Sequence, residues 1–154
     1  GAASQLIEGG AGNDTITAGD VADEVIIGGA GADTIDLVGV AVAAQTVVVN
    51  AGDSGITLAT ADKISNFNTG EDFLDFNLVD GSATNFLFDA SAGGFLDALV
   101  NANAAFANDS ALRYVASTDN TNTWVFVDRD GNGTADQVVE LSGIVLIGAA
   151  DIIA

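Results

Sequence analysis

The sequence predicts an all-β fold in two parts, a short parallel coil of strands over residues 1–38 and a β-sandwich-like cap over residues 39–154 with one short helix. Three observations lead to this prediction. A nine-residue glycine-rich pattern recurs near the start, which is typical of a coil of short parallel strands. Runs rich in Val and Thr follow, and they favour strands in the rest of the chain. One alanine-rich stretch has apolar residues at helical spacing.

Two intact copies of the pattern are present, at residues 9–17 and 28–36. Each has the form G-G-x-G-x-D-x-U-x, where U is a large aliphatic residue. The glycines permit left-handed backbone conformations without a steric penalty and leave carbonyl oxygens free to face a cation. The aspartates at the sixth position, Asp14 and Asp33, would add carboxylates to that ring of oxygens. The aliphatic residues would point inwards from very short strands.

A worn copy of the pattern lies between the intact ones, at residues 18–26. It keeps Asp23 at the acidic position and Val25 at the aliphatic one, and one extra residue then precedes the third unit. If each unit forms half a turn, the intact units stack on one side of the coil with Ile16 and Ile35 inside. Their aspartates could then share one ion, so one calcium site is expected rather than several. The alternative is a flexible linker, but linkers do not repeat an aliphatic residue at a fixed place after Asp.

The repeats resemble those of the RTX family, in which such nonapeptides form a parallel β-roll with calcium bound in its turns. The resemblance implies Ca2+ as the cofactor, held by carbonyl and carboxylate oxygens of one turn that face those of the next. The ligands that it implies are Gly9, Ala11, Asp14, Gly29, Gly31 and Asp33. The roll is therefore expected to be a calcium-binding one, and the worn unit is expected to contribute little to it.

Residues 61–76 resemble the segment D-x-I-x-x-F-x-x-G-x-D-x-L-D that follows the roll in secreted RTX proteins. The pattern predicts two strands around a turn at residues 68–70. The side chains expected to be buried are Ile64, Phe67, Phe73, Leu74 and Phe76. Asp62 and Asp72 could hold a further ion, but solvated turn carboxylates are the expectation.

Composition alone predicts the elements between these motifs and the helix. Residues 46–49 should form a longer strand that covers the roll, followed by a turn at residues 50–55. Residues 95–106 should form an amphipathic helix with Ser91 as its N-cap. Core packing accounts for the apolar stripe of this helix, and binding to a partner is the alternative.

Three further strands are predicted near residues 112–115, 123–127 and 137–141. The loop before the last strand has oxygen-bearing side chains at alternate positions, as in the first half of an EF-hand-type loop. Its candidate metal ligands are Asp128, Asp130, Asn132 and Asp136. An EF-hand itself is not supported, because strands flank the loop and no glutamate stands at its twelfth position. A polar hairpin turn without an ion explains the same residues.

Charge and composition exclude several classes of function for this chain. The formal net charge is −19, and Lys63, Arg113 and Arg129 are the only cations, which argues against nucleic acid or an anionic membrane as a partner. The absence of Cys and His excludes disulfides, the common zinc sites and His-dependent catalytic triads. Hydrophobic residues make up 49% of the chain, too many for a disordered acidic tail. Bound cations are therefore expected to offset part of the charge repulsion.

The sequence thus predicts a calcium-binding, calcium-folded extracellular module with no catalysis of its own, since neither H-E-x-x-H nor G-x-S-x-G occurs. The resemblance implies a secreted or cell-surface protein that uses the type I secretion machinery, with a signal-like end at residues 143–154. A buried last strand would explain that end equally well. One alternative is a self-assembling subunit of a surface layer, adhesin or filament, hence a homo-oligomer. Another is the C-terminal part of a secreted hydrolase whose active site lies upstream.

Overall fold

The computed structural model describes residues 5–19, 23–38, 44–143 and 145–154. Within these residues nearly all regular structure is β, with a single α-helix, so the predicted all-β class with one short helix is confirmed. Two sheets and the helix form three layers.

The strands lie in two sheets. The five-stranded sheet contains, in spatial order, β1 (Leu6–Ala11), β3 (Glu24–Ala30), β5 (Gln45–Val48), β7 (Phe73–Asp75) and β12 (Ile152–Ile153). The seven-stranded sheet contains β2 (Thr15–Thr17), β4 (Thr34–Asp36), β6 (Asp62–Ser65), β11 (Gln137–Ser142), β10 (Asn122–Val127), β9 (Tyr114–Thr118) and β8 (Phe86–Asp89). The helix α1 spans Phe95–Asn108.

The first seven strands form a coil, because successive strands alternate between the two sheets and pair in parallel with the strand two places earlier. The predicted stacking of the two intact units is confirmed, since Ile16 pairs with Ile35 in neighbouring strands and both side chains are buried. Short strands with one inward side chain suffice here, because the opposite sheet supplies the other half of the core.

The parallel pairing continues past residue 38, through β5, β6 and β7. The prediction that residues 46–49 cover the roll is wrong, because β5 is the next layer of the coil beside β3. β6 and β7 likewise lie in different sheets, so residues 61–76 form another turn of the coil. The predicted division into residues 1–38 and 39–154 stays a prediction, but both sheets run across it.

The worn unit is out of register with its predicted alignment. Ile26 is the buried aliphatic residue and Val25 is only half-buried, so the aliphatic position lies one residue later than expected. The fully buried acidic residue of this unit is Glu24, whereas Asp23 is exposed. The extra residue of the worn unit therefore lies before its acidic position, and the spacing from acid to buried aliphatic residue is kept.

Two clusters of apolar side chains hold the three layers together. One lies between the sheets and includes Ile26, Ile35, Ile64 and Leu74. The other lies between the seven-stranded sheet and α1. There the ring of Phe95 packs against the rings of Trp124 and Phe126, with centroid distances of 5.7 Å and 5.9 Å. Each buried side chain of this size stabilises the fold by roughly 1.5–3 kcal/mol.

The predictions for the C-terminal half are largely confirmed. β9, β10 and β11 form an antiparallel meander close to the predicted positions, and β11 joins β6 in parallel. Among the residues expected to be buried at 61–76, only Phe73 is half-exposed. The predicted N-cap is wrong, because α1 begins after Gly94 and the Ser91 hydroxyl donates to Asp89 instead.

Candidate metal centre

A column of three carboxylates, two of them buried and one half-buried, follows one edge of the coil, where strands of the seven-stranded sheet begin. Its members, called the first column, are Asp14, Asp33 and Asp62, each one residue before or at the start of a strand. The Asp14 N–H donates to Oδ1 of Asp33 (2.8 Å), and the Asp33 N–H donates to Oδ1 of Asp62 (2.9 Å). The carboxylates of Asp33 and Asp62 thus each use one oxygen to hold the backbone of the layer before them.

The second oxygens of this column are the unusual feature. Oδ2 of Asp14 and Oδ2 of Asp33 are buried and have no hydrogen-bond partner in the described part of the chain. Asp33 is only 1% exposed, so water does not compensate. An unpartnered buried polar group costs about 1–3 kcal/mol, and a charged one costs more. A cation among these oxygens would remove that cost, and carboxylate oxygens are hard donors that suit calcium.

The glycine turns stack too closely for side chains to fit between them. A Cβ on Gly29 would lie 1.9 Å from the carbonyl oxygen of Gly10, and one on Gly31 would lie 2.0 Å from that of Gly12. The Gly12 N–H donates to the Ala30 carbonyl at 2.8 Å. Carbonyl oxygens of Gly10, Gly12 and Ala30 therefore lie between the two turns.

The predicted ligands fall around these turns. Asp14 and Asp33 lie in adjacent layers, and Gly9 is near Oδ2 of Asp14 and the carbonyl oxygen of Gly28. The carbonyl groups found between the turns are those next in sequence to the ones that the resemblance assigns to Gly9, Ala11, Gly29 and Gly31. That assignment stays a prediction, which a structure with the ion bound would test.

A second column of buried polar side chains lies at the opposite edge, where strands of the five-stranded sheet begin. Its members are Glu24, Gln45, Asp72 and Asp151. Every carboxylate oxygen of this column accepts a hydrogen bond. The donors are the backbone N–H groups of Gly19, Gln45, Asn68, Gly70 and Gly148 and the side-chain amide of Gln45. No carboxylate oxygen of the second column therefore needs a cation as a partner.

Gln45 takes a central place in the second column. Its side-chain amide donates to Oε2 of Glu24 (3.3 Å), and its backbone N–H donates to Oδ1 of Asp72 (3.1 Å). A neutral amide therefore links two acidic layers without adding charge. Sequence reasoning missed Glu24, Gln45 and Asp151 as site residues, and it expected Asp72 and Asp62 to be solvated, which is wrong because both are buried. For Glu24 and Gln45, the available signal was a polar residue two places before a buried aliphatic one.

The loop at residues 128–136 brings its four predicted ligands together. Oxygens of Asp128, Asp130 and Asp136 lie within 4.8 Å of one another, and the Asn132 side chain donates to Asp130. Asp128 is buried, and its two oxygens accept the N–H groups of Gly131 (2.8 Å) and Gly133 (3.0 Å). Loop hydrogen bonds satisfy this carboxylate, unlike those of the first column, and the role of the loop as a metal site stays a prediction.

Burial raises the pKa of two carboxyls of the first column, Asp62 and Asp33. Desolvation, with a smaller contribution from the charges of Asp33 and Asp53, raises the pKa of Asp62 to about 7. Desolvation also raises the pKa of Asp33, and the neighbouring charges of Asp14 and Asp53 act in the same direction. Without a cation, both carboxyls therefore take up a proton more readily in the folded chain than in the unfolded one.

Acid should partly replace the cation when calcium is chelated. A raised pKa of Asp62 makes a contribution to folding that is fully present below the unfolded value of about 4 and is lost as the pH rises through about 7. The free energy of unfolding in chelator should therefore increase by about 2.5 kcal/mol when the pH is lowered from about 7.5 to about 5. Circular dichroism in chelator should show β structure returning as the pH is lowered, and urea unfolding measures the free energy at the pH values where the fold is populated.

The control for this prediction is Asp62→Asn, which removes the titrating group and should flatten the pH dependence. Stability in chelator that rises with pH over the same range would contradict the assignment.

The alternating parallel sheets and the stacked glycine turns define the class of protein as a parallel β-roll. The solution structure of the AlgE6R3 subunit from the Azotobacter vinelandii mannuronan C5-epimerase has a similar fold. The TM-score is 0.61 at 20% sequence identity, and the match covers 97% of this chain and 72% of that one. This likeness concerns the fold. No protein-family model and no curated protein matches the sequence.

Among the described residues, no helix is both long and apolar enough to cross a membrane.

Proposed function

We propose that this chain is a calcium-folded β-roll module of an extracellular protein, without catalysis of its own. The observation that carries the proposal is the pair of buried, unpartnered oxygens, Oδ2 of Asp14 and Oδ2 of Asp33. A cation between the two turns satisfies both oxygens and offsets their charge. Calcium fits better than magnesium, because carbonyl and carboxylate groups on a flexible turn suit a larger ion with irregular coordination.

The charge and the site favour folding outside the cell. Extracellular calcium modules have dissociation constants of about 0.1–1 mM, so such a site stays empty at the low free calcium of the cytosol. Binding to the folded form alone then stabilises the fold once calcium is available. The RTX resemblance of the repeats supports export through a type I system.

Self-assembly is the second candidate function, and exposed apolar side chains on α1 favour it. Leu96 is 74% exposed and Val100 is 66% exposed on the outer face of the helix. Sedimentation at millimolar calcium would test this candidate, since a monomer at high protein concentration would exclude it.

The substrate in the name of the AlgE6R3 parent enzyme, mannuronan, is not a good match for this chain. A net charge of −19 repels an acidic polysaccharide unless a cation bridges the two. Of the three cations, Arg129 donates to the backbone carbonyls of Val49 and Phe76, and so it is used within the fold. We therefore propose no polysaccharide ligand.

Calcium titration tests the proposed function. In chelator near neutral pH, the far-UV spectrum should show a loss of β structure, and millimolar calcium should restore it because the ion neutralises the first column. Magnesium at the same concentration should restore much less, and sodium chloride at equal ionic strength controls for charge screening. A spectrum that is the same throughout the calcium titration would falsify the proposal.

A further inference from the structure

The first column continues one layer beyond the nonapeptides. In the layer formed by the intact units, the Gly12 N–H donates to the Ala30 carbonyl, and the Asp14 N–H donates to Oδ1 of Asp33. The Thr34 N–H completes this layer with a bond to the Asp14 carbonyl at 2.9 Å. These three hydrogen bonds fix the position of one turn of the coil relative to the next.

The same three bonds recur between the third unit and the loop at residues 50–61. The Gly31 N–H donates to the Asp53 carbonyl (3.1 Å), and the Asp33 N–H donates to Oδ1 of Asp62 (2.9 Å). The Lys63 N–H donates to the Asp33 carbonyl at 2.8 Å. Asp53 therefore stands where Ala30 stands in the previous layer, and Asp62 stands where Asp33 stands, although this loop lacks the nonapeptide pattern.

The carboxylates of this layer lack a compensating charge. Asp33 and Asp62 are 1% and 2% exposed, and Oδ2 of Asp33 has no partner in the described part of the chain. Arg129 interacts electrostatically with Asp53, but no basic side chain of the described residues acts on Asp33 or Asp62, since Arg113 and Arg129 donate to backbone carbonyls and Lys63 is exposed. Three acidic residues thus meet at the layer boundary with one buried oxygen free for a ligand.

We propose that a second calcium ion binds between the third unit and the 50–61 loop, with Asp33 and Asp62 as its carboxylate ligands and Asp53 contributing its carbonyl oxygen. The inference rests on the proposed function, because it extends the same column by one layer. Asp33 then serves both ions, one on each side of its turn.

Strand β11 holds the loop of this second site in place. The Ser54 hydroxyl accepts the Asp62 N–H at 2.8 Å and donates to the Val138 carbonyl in β11 at 2.6 Å. The Gly55 N–H donates to the Thr60 carbonyl at 2.8 Å, which closes the loop. Because β11 belongs to the meander, the second ion would couple the coil to the C-terminal half.

Calcium stoichiometry measured by equilibrium dialysis tests the inference, with the full chain carrying Asp130→Ala and Asp136→Ala to remove binding at the 128–136 loop. This background should bind two ions. Asp14→Asn and Asp62→Asn should each lose one ion, and Asp33→Asn should lose both. Asparagine keeps an oxygen acceptor at Oδ1, and circular dichroism in calcium checks that the variants expected to keep one ion, Asp14→Asn and Asp62→Asn, still fold.

The outcomes separate the two proposals. The second site would be overturned if Asp62→Asn still bound two ions, or if Asp14→Asn were the only variant to lose an ion. The proposed function would stand in either case. No bound ion in the background chain would overturn the proposed function itself. If Asp62→Asn does not fold, Asp53→Asn decides instead. Asp53→Asn lowers the negative charge of the loop, so the affinity for the second ion should fall by about tenfold. Unchanged affinities for both ions would contradict the proposal.

Discussion

Gly29→Ala should destabilise the coil far more than Gly10→Ala, even in saturating calcium. Both glycines occupy the second position of an intact unit and have positive φ, +97° and +103°. A Cβ on Gly29 would overlap the Gly10 carbonyl oxygen of the layer beside it, but a Cβ on Gly10 meets nothing within 4 Å. The two substitutions therefore share the backbone strain and differ only in the stacking.

The two substitutions should lower the free energy of unfolding by very different amounts. Strain at positive φ costs about 1–3 kcal/mol, and Gly10→Ala should show no more than this. Gly29→Ala adds an overlap with backbone that no side-chain movement relieves, so the total should reach about 5 kcal/mol. Urea unfolding in saturating calcium measures both values. Equal losses of stability in the two variants would mean that the turns are not stacked as described.

Gln45→Glu should destabilise the opposite edge of the coil by about 3–5 kcal/mol at neutral pH. Gln45 is buried between Glu24 and Asp72 and donates its amide to Glu24. A carboxylate in its place would remove the donor and add a third buried negative charge. The loss should shrink as the pH falls towards about 4, because a protonated carboxyl can again donate a hydrogen bond to Glu24.

Gln45→Leu is the matched control, since it removes the amide without adding charge and its cost should not depend on pH in this way. Thermal unfolding of both variants between pH 4 and pH 8 gives the comparison. A Gln45→Glu loss that is independent of pH would show that packing, and not charge, governs this edge.

The repeats allowed the first layer of the coil to be predicted, because their signal is local. Glycine at positions of positive φ, Asp next to the strand and Ile two residues later each act within one unit. Ile16 and Ile35 therefore lie where the pattern places them. The strands of the meander were also predictable, since Trp124 to Val127 and Val138 to Leu141 are runs of β-favouring residues.

The rest could not be predicted because it depends on partners that are distant in sequence. Asp62 becomes part of the first column only because the loop before it returns to the same edge as Asp33. No sequence motif marks Gln45. Its burial between Glu24 and Asp72 is what allows its amide to link the two acidic layers. The register of the worn unit failed for a similar reason, because only packing in the core, with Ile7 and Val47 in the neighbouring strands, distinguishes Ile26 from Val25.

The parallel pairing of β6 with β11 has a consequence for the folding rate. Lys63 pairs with Glu140, and Leu74 pairs with Ile152, so closure of both sheets waits for segments far along the chain. Folding dominated by such non-local contacts takes milliseconds to seconds, even when the turns are already formed. During that interval the apolar edges of β6 and β7 are open to other copies of the chain. Aggregation therefore competes with folding at this step, and dilute protein should refold in higher yield than concentrated protein.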